Sequence, residues 1–183
     1  ISGVIEIVNI EDMEFFSEKN YPILQILADY AAIAIENSRT MRRIETMCIT
    51  DEYTGLYNSR YMHDYLDRYF SDPRNLCGSI AVIFIDMDDF KSIVDTHGHL
   101  QGSEILKQIG LTIKAALSDT DILIKYGGDE YIILLPGRNN EKAFQLAQTV
   151  SEKISTTAYQ VEDGKTVAAT ASFGIASAPE NAT

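Results

Sequence analysis

Five carboxylates fall where apolar runs end. Asp86, Asp88 and Asp89 close the run VIFIDMDDFK, and Asp129 and Glu130 follow a glycine pair in IKYGGDEYIILL. Like charges that close together destabilise one another's ionised form unless a cation offsets them. Oxygen ligands at such an edge suit Mg²⁺, which takes a few carboxylates and completes its shell with water and substrate phosphates. Asp86 and Asp129 are the leading pair, because each sits where a strand ends and its side chain can turn to the edge. A solvated acidic rim has the same composition, and spacing alone leaves both readings open. The segment DDFK adds a second element. A helix beginning near Asp89 leaves free N–H groups that hold phosphate, and Lys91 adds a point charge. Metal and helix terminus together make a triphosphate pocket; a solvated helix lysine is the plainer account of Lys91. Gly127 and Gly128 let a backbone or a nucleotide approach closely, although most Gly-Gly turns are only turns.

The elements that must position these groups follow from periodicity. Residues 3 to 9 alternate as a strand. A helical pattern runs from about Ser17, a candidate N-cap, to Cys48, with Pro22 in its first turns. In it, Leu27, Tyr30, Ala34, Asn37, Met41, Ile44 and Cys48 alternate steps of three and four. That is heptad spacing with a polar Asn37 on the seam, as parallel two-stranded coiled coils use to fix register. A helix packed on its own domain gives a similar stripe. After Thr50 come a turn-rich opening, an amphipathic helix, the β-branched strand 79–88 and two helices split at a Gly-His break. The hairpin around the glycine pair, a helix from Asn140 and a strand over 166–177 complete the chain. The order β-α-α-β-β-α-β predicts an α/β fold, with helices covering one face of a mainly antiparallel sheet.

The chain has 183 residues, 45% hydrophobic, and a net charge of −12. An acidic chain of this kind lacks the basic footprint of a nucleic-acid polymer binder. An anionic substrate therefore needs local cations or a metal. Cys48 and Cys77 form no disulfide or zinc pattern, which suits a reducing cytoplasm. No apolar run is long enough to span a bilayer and no signal peptide opens the chain. The start at ISGVIEIVN reads as mid-domain, as in a piece of a longer protein.

Four segments together resemble the GGDEF family of diguanylate cyclases: DEYTGLYNSRY (51–61), FIDMDDFKSIVDTHGHLQG (84–102), YGGDEY (126–131) and ASFGIA (171–176). The name-giving motif ends in Tyr131 rather than Phe. The N-terminal part, GVIEIVN followed by LADYAAIAIENSR, resembles the end of a GAF sensor domain. The resemblance implies a GAF-like remnant over 1–36, a coiled-coil linker over 37–49 and a cyclase domain over 50–183. It implies a palm-like, mainly antiparallel sheet with flanking helices, preceded by a long signalling helix. It implies that two nucleoside triphosphates, GTP and/or ATP, are condensed to a 3′,5′-cyclic dinucleotide by a homodimer with facing domains. Carried over by position, Asp86, the Met87 carbonyl and Asp129 would bind Mg²⁺ or Mn²⁺. Asp129 or Glu130 would deprotonate the attacking hydroxyl. Phe90 and Lys91 would hold phosphates, and Gly127 and Gly128 would let the nucleotide lie across the hairpin. His99 matches a position near the substrate; a helix-break histidine bonded to backbone fits it equally.

Three departures qualify the resemblance. Where the family reads guanine with Asn and Asp, this chain has Val94 and Ser103. Valine offers no hydrogen bond, and one hydroxyl cannot match guanine's two adjacent donors. A branch of the family similar at Ser103 accepts ATP and makes mixed cyclic GMP–AMP; a degenerate pocket is the other reading. The family's R-x-x-D product-inhibition site reads SDTD (118–121), so a guanidinium is missing and no inhibition through that site is expected. The family also carries one more helix after ASFGIA, with cations for the phosphates, whereas this chain stops at PENAT. Besides an enzyme, two further readings stand: a silent nucleotide-binding relay, and a dimerisation module with a solvated acidic edge.

Overall fold

The computed structural model describes residues 21–75 and 78–181. The chain divides into two compact units, Ile1–Cys48 and Ile49–Thr183. Helix α1 (Tyr21–Ile49) is 29 residues long. Its seam residues Leu27, Tyr30, Met41 and Ile44 are exposed. The strand expected over 3–9 and the candidate cap Ser17 lie outside the described residues. Among the described residues, no helix is long and apolar enough to cross a membrane.

The second unit opens on a turn built from DEYTGL. The Asp51 carboxylate accepts from the Thr54 N–H at 2.8 Å and the Thr54 hydroxyl at 2.6 Å. The Asp51 N–H donates to the Leu56 carbonyl at 2.8 Å. Aspartate bonding to its own backbone ahead is what makes this residue type a turn former. The turn leads into β1 (Tyr57–Asn58) and α2 (Ser59–Ser71), whose N-cap Asn58 accepts from the Tyr61 N–H. Then follow β2 (Ile80–Met87), α3 (Phe90–Lys114), β3 (Ile122–Lys125), β4 (Glu130–Pro136) and α4 (Asn140–Thr156). A small hairpin of β5 (Tyr159–Gln160) and β6 (Thr166–Val167) precedes β7 (Ala171–Ala178).

The main sheet has the order β1-β3-β4-β2-β7. All pairings are antiparallel except β1 with β3. The mainly antiparallel sheet with flanking helices is as expected, but helices do not cover one face alone. Strand β4 is apolar on both sides. Tyr131, Ile133 and Leu135 join Ile105, Ile109 and Ile113 of α3 and Ala143, Ala147, Val150 and Ile154 of α4 in one core. Ile132 and Leu134 face the other way and pack with Met62 of α2. A continuous apolar strand demands cover on both faces, and α2 supplies the second. Ile105, Ile109 and Ile113 recur at i, i+4, so one stripe of α3 is anchored along its length. Truncating Ile109 to alanine would cost about 2–5 kcal/mol in transfer and cavity terms.

Candidate functional site

Strands β2 and β4 bring the carboxylates to one edge. Their register sets Asp86 directly opposite Glu130. The Met87 N–H donates to the Asp129 carbonyl at 3.3 Å, which ties the end of β2 to the hairpin turn. Asp86 is exposed, and Asp129 and Glu130 are half-buried. None of the three carboxylates has a hydrogen bond or ion pair among the described residues. Like charges directly opposite in a strand pair destabilise it unless a cation offsets them. Among the described residues, no three His, Cys, Asp or Glu side chains cluster as a metal cage. A Mg²⁺ held by two carboxylates, a carbonyl and substrate phosphates needs no such cage, and this donor set fits it.

The five carboxylates do not act as one group. The Asp88 oxygens accept from the Thr170 hydroxyl at 2.7 Å and the Ser172 hydroxyl at 2.7 Å. Those two bonds, Ser172 first, hold its carboxyl below the usual range. Asp88 therefore belongs to the β7 side rather than to the Asp86 edge. Asp89 is the N-cap of α3 in the left-handed conformation, φ 49°, and its side chain caps nothing. The first N–H groups of α3 are thus left open for an anion. The Phe90 side chain is buried in the core, so only its backbone is available to a ligand, whereas Lys91 is exposed.

Helix α3 is kinked at Gly98, φ 84° and ψ 162°, the expected Gly-His break. The kink folds the first half onto the second. A methyl added to Gly102 would stand 2.9 Å from Val94 Cγ2 and 3.7 Å from Phe90 Cε1. Val94 is thus a packing residue of this joint. Ser103 lines a groove of about 260 Å³ with Tyr53, Leu100, Gln101 and Glu104. Its hydroxyl donates to the His99 carbonyl at 3.1 Å. The His99 side chain is exposed and has no hydrogen bond among the described residues.

The hairpin turn holds two findings that spacing did not reveal. Neither Gly127 nor Gly128 has a positive φ. A Cβ at 127 would meet the Glu130 carboxylate, so a larger residue there would make that side chain move. Lys125, 6% exposed, donates from Nζ to the Gly127 carbonyl at 2.5 Å and the Gly128 carbonyl at 2.7 Å. The apolar run around it conceals a buried ammonium.

The SDTD segment has a partner from elsewhere in the chain. Asp121 does have a guanidinium partner: Arg138 Nη2 stands 2.8 Å from its Oδ2, supplied from the far end of the hairpin. The Ser118 N–H and hydroxyl donate to the same oxygen at 2.9 Å and 2.8 Å. The Asp121 side chain is fully buried, and its Oδ1 has no partner.

Comparison with known proteins places this arrangement. A family model described as "Diguanylate cyclase, GGDEF domain" matches residues 48–183. Diguanylate cyclase A of Treponema denticola is 28% identical over 170 residues, covering 91% of this chain and 44% of that protein. The GGDEF domain of TpbB (YfiN) from Pseudomonas aeruginosa is 32% identical with a TM-score of 0.66, covering 72% of this chain and 76% of that one. The coiled coil and GGDEF domain of DgcB from Caulobacter crescentus, solved with c-di-GMP, superposes with a TM-score of 0.78. It covers 85% of this chain and 82% of that one at 22% identity, a likeness of fold alone. The chain spans less than half the length of the curated relatives it matches.

Proposed function

This chain belongs to the GGDEF family, and on that premise we propose that it condenses two nucleoside triphosphates to a 3′,5′-cyclic dinucleotide. The observation that carries the reading is the Asp86–Glu130 pair. Two carboxylates stand opposite each other with no hydrogen bond or ion pair among the described residues, beside the free N-terminus of α3.

In this reading Asp86, the Met87 carbonyl and Asp129 hold a divalent cation, Mg²⁺ or Mn²⁺. Bound there, it would supply positive charge to offset the phosphates. The N–H groups at Phe90 and the Lys91 ammonium hold the terminal phosphates. Asp129 or Glu130 takes the proton from the 3′-hydroxyl of the facing nucleotide. That oxygen bonds to the α-phosphorus as the bond to pyrophosphate breaks. Two such steps close the ring and release two pyrophosphates. In-line transfer of this kind needs positioning and charge neutralisation more than a covalent intermediate. Each domain holds one nucleotide, so two copies must face each other, and the exposed seam of α1 is the surface that would pair them.

Base choice falls to α3. The Ser103 hydrogen is engaged by the His99 carbonyl, so the hydroxyl oxygen is left chiefly as an acceptor. It can satisfy one of guanine's two adjacent donors, or the amino group of adenine. Val94 is engaged with Gly102 and reads neither base. Guanine preference is therefore weakened by tens to thousands of fold, at about 1–3 kcal/mol for each lost contact. ATP becomes an admissible partner and cyclic GMP–AMP an admissible product.

The test uses the full-length protein with Mg²⁺ and GTP, ATP or an equal mixture, with products identified by mass spectrometry. A cyclic dinucleotide that disappears in Asp129→Ala is expected. No product from any mixture with intact dimer would overturn the reading.

A further inference from the structure

We propose that Lys125 is a positioning residue for the reacting phosphate. By holding the carbonyls of Gly127 and Gly128, it turns the N–H groups of Gly128 and Asp129 toward the nucleotide as a pair of donors. The inference rests on the cyclase reading for the identity of the anion.

The argument starts from peptide geometry. A trans peptide is planar, and its N–H points opposite to its C=O. The Gly127 carbonyl and the Gly128 N–H share one plane, and the Gly128 carbonyl and the Asp129 N–H share the next. Lys125 Nζ draws both carbonyls to itself, at 2.5 Å and 2.7 Å. Both N–H groups therefore face away from it. Neither makes a hydrogen bond among the described residues. Two consecutive unpartnered N–H groups in a turn are donors that an anion can accept. A Cβ on Gly128 would meet nothing within 4 Å, so the outer side of the turn is open.

The lysine itself is unusual enough to need a reason. It ends β3 almost completely buried, 4.6 Å from the centre of the Tyr131 ring. Burial pulls its ammonium below the ordinary value, while Asp51, Asp129 and Glu130 oppose that shift. A methionine of similar volume would avoid the desolvation. The gain from keeping an ammonium here lies in its donors and their two carbonyl partners. Tyr131, stacked against it, donates its hydroxyl to the Leu106 carbonyl of α3 at 2.7 Å. The turn is thereby referenced to the helix that carries Lys91 and Ser103.

The experiment compares the full-length wild type with Lys125→Met and Lys125→Arg. Three quantities are read: unfolding temperature, kcat and KM, and the amide resonances of Gly128 and Asp129. The last are followed during titration with non-hydrolysable guanosine and adenosine triphosphate analogues and Mg²⁺. We expect both amides to shift in wild type and Lys125→Arg but not in folded Lys125→Met. Lost preorganised donors should lower kcat about 100-fold with a smaller change in KM, and arginine should restore most of it. Folded Lys125→Met with kcat within about twofold of wild type would overturn the proposal, on the scale expected for lost donors. So would wild-type amides that ignore the analogue. If Lys125→Met does not fold, Lys125→Leu, which likewise has no donor for the two carbonyls, takes its place under the same criteria. If wild type makes no cyclic dinucleotide, the cyclase reading fails, and the amide titration still decides the role of Lys125.

Discussion

The Ser103 hydroxyl donates to a carbonyl one turn back, and that single bond sets what the residue offers a base. Ser103→Asp restores an acceptor pair for guanine's two donors. It should shift product made from equal GTP and ATP toward cyclic di-GMP by about tenfold or more, read by mass spectrometry. Substituting Val94→Asn should do less, because that side chain is committed to Gly102. A second residue-level prediction concerns Arg138. Removing it leaves the buried Asp121 carboxylate with only the two Ser118 donors, so Arg138→Met should lose about 1–3 kcal/mol in denaturant unfolding. Because Asp121 is already engaged, product should not inhibit through this site, and turnover at rising cyclic dinucleotide would check that. The carboxylates of the edge were legible in the sequence, because charges at the ends of apolar runs are conspicuous. What Asp88 and Asp121 bind was not. Thr170 and Ser172 lie 82 and 84 residues from Asp88, and no local pattern announces such partners. Lys125 was overlooked because a lysine in an apolar run reads as a surface residue.

At the scale of the element, the kink of α3 holds the two halves of the site together. Gly98 occupies φ 84° and ψ 162°, a region open to glycine and strained for other residues. Gly98→Ala should cost about 1–3 kcal/mol, or a fall of roughly 2–4 °C in melting temperature per kcal/mol. It should also displace Lys91 relative to Ser103, raising KM for nucleotide. The kink was readable from GH in the sequence, and so were α2, α3, α4, β2 and the β3–β4 hairpin, each carried by strong periodicity. Strand β1 and the β5–β6 hairpin were not, since two-residue strands have no period to detect. The second covered face was missed for a related reason. Runs such as YIILL are apolar at every position, and periodicity cannot say which side is buried when both are.

For the whole molecule, buried tyrosines impose a pH limit. Burial raises Tyr131 and Tyr159 above the ordinary value of 10.0, and partial burial moves the half-buried Tyr61 and Tyr65 the same way. The native state then keeps protons that the unfolded chain releases. Stability from these groups is complete below pH 10 and declines as pH rises above it. Thermal unfolding between pH 9 and 11 should show that decline, and Tyr131→Phe should make it shallower. The same substitution removes the hydroxyl bond to Leu106, so the variant should also be less stable at neutral pH by about 1 kcal/mol.

The two faces of the sheet are not equals. Twenty buried residues lie on the α3–α4 side and four on the α2 side, among those described. Fewer buried contacts mean a lower free energy of local opening. Amide hydrogens of α2 and β1 should therefore exchange with solvent sooner than those of α3, α4 and β2, in a sub-global opening that leaves the larger core closed. That soft layer begins at Tyr57, six residues after Asp51, whose charge acts on Lys125 beneath the glycine turn. The part of the domain nearest in sequence to α1 is thus the part that yields first.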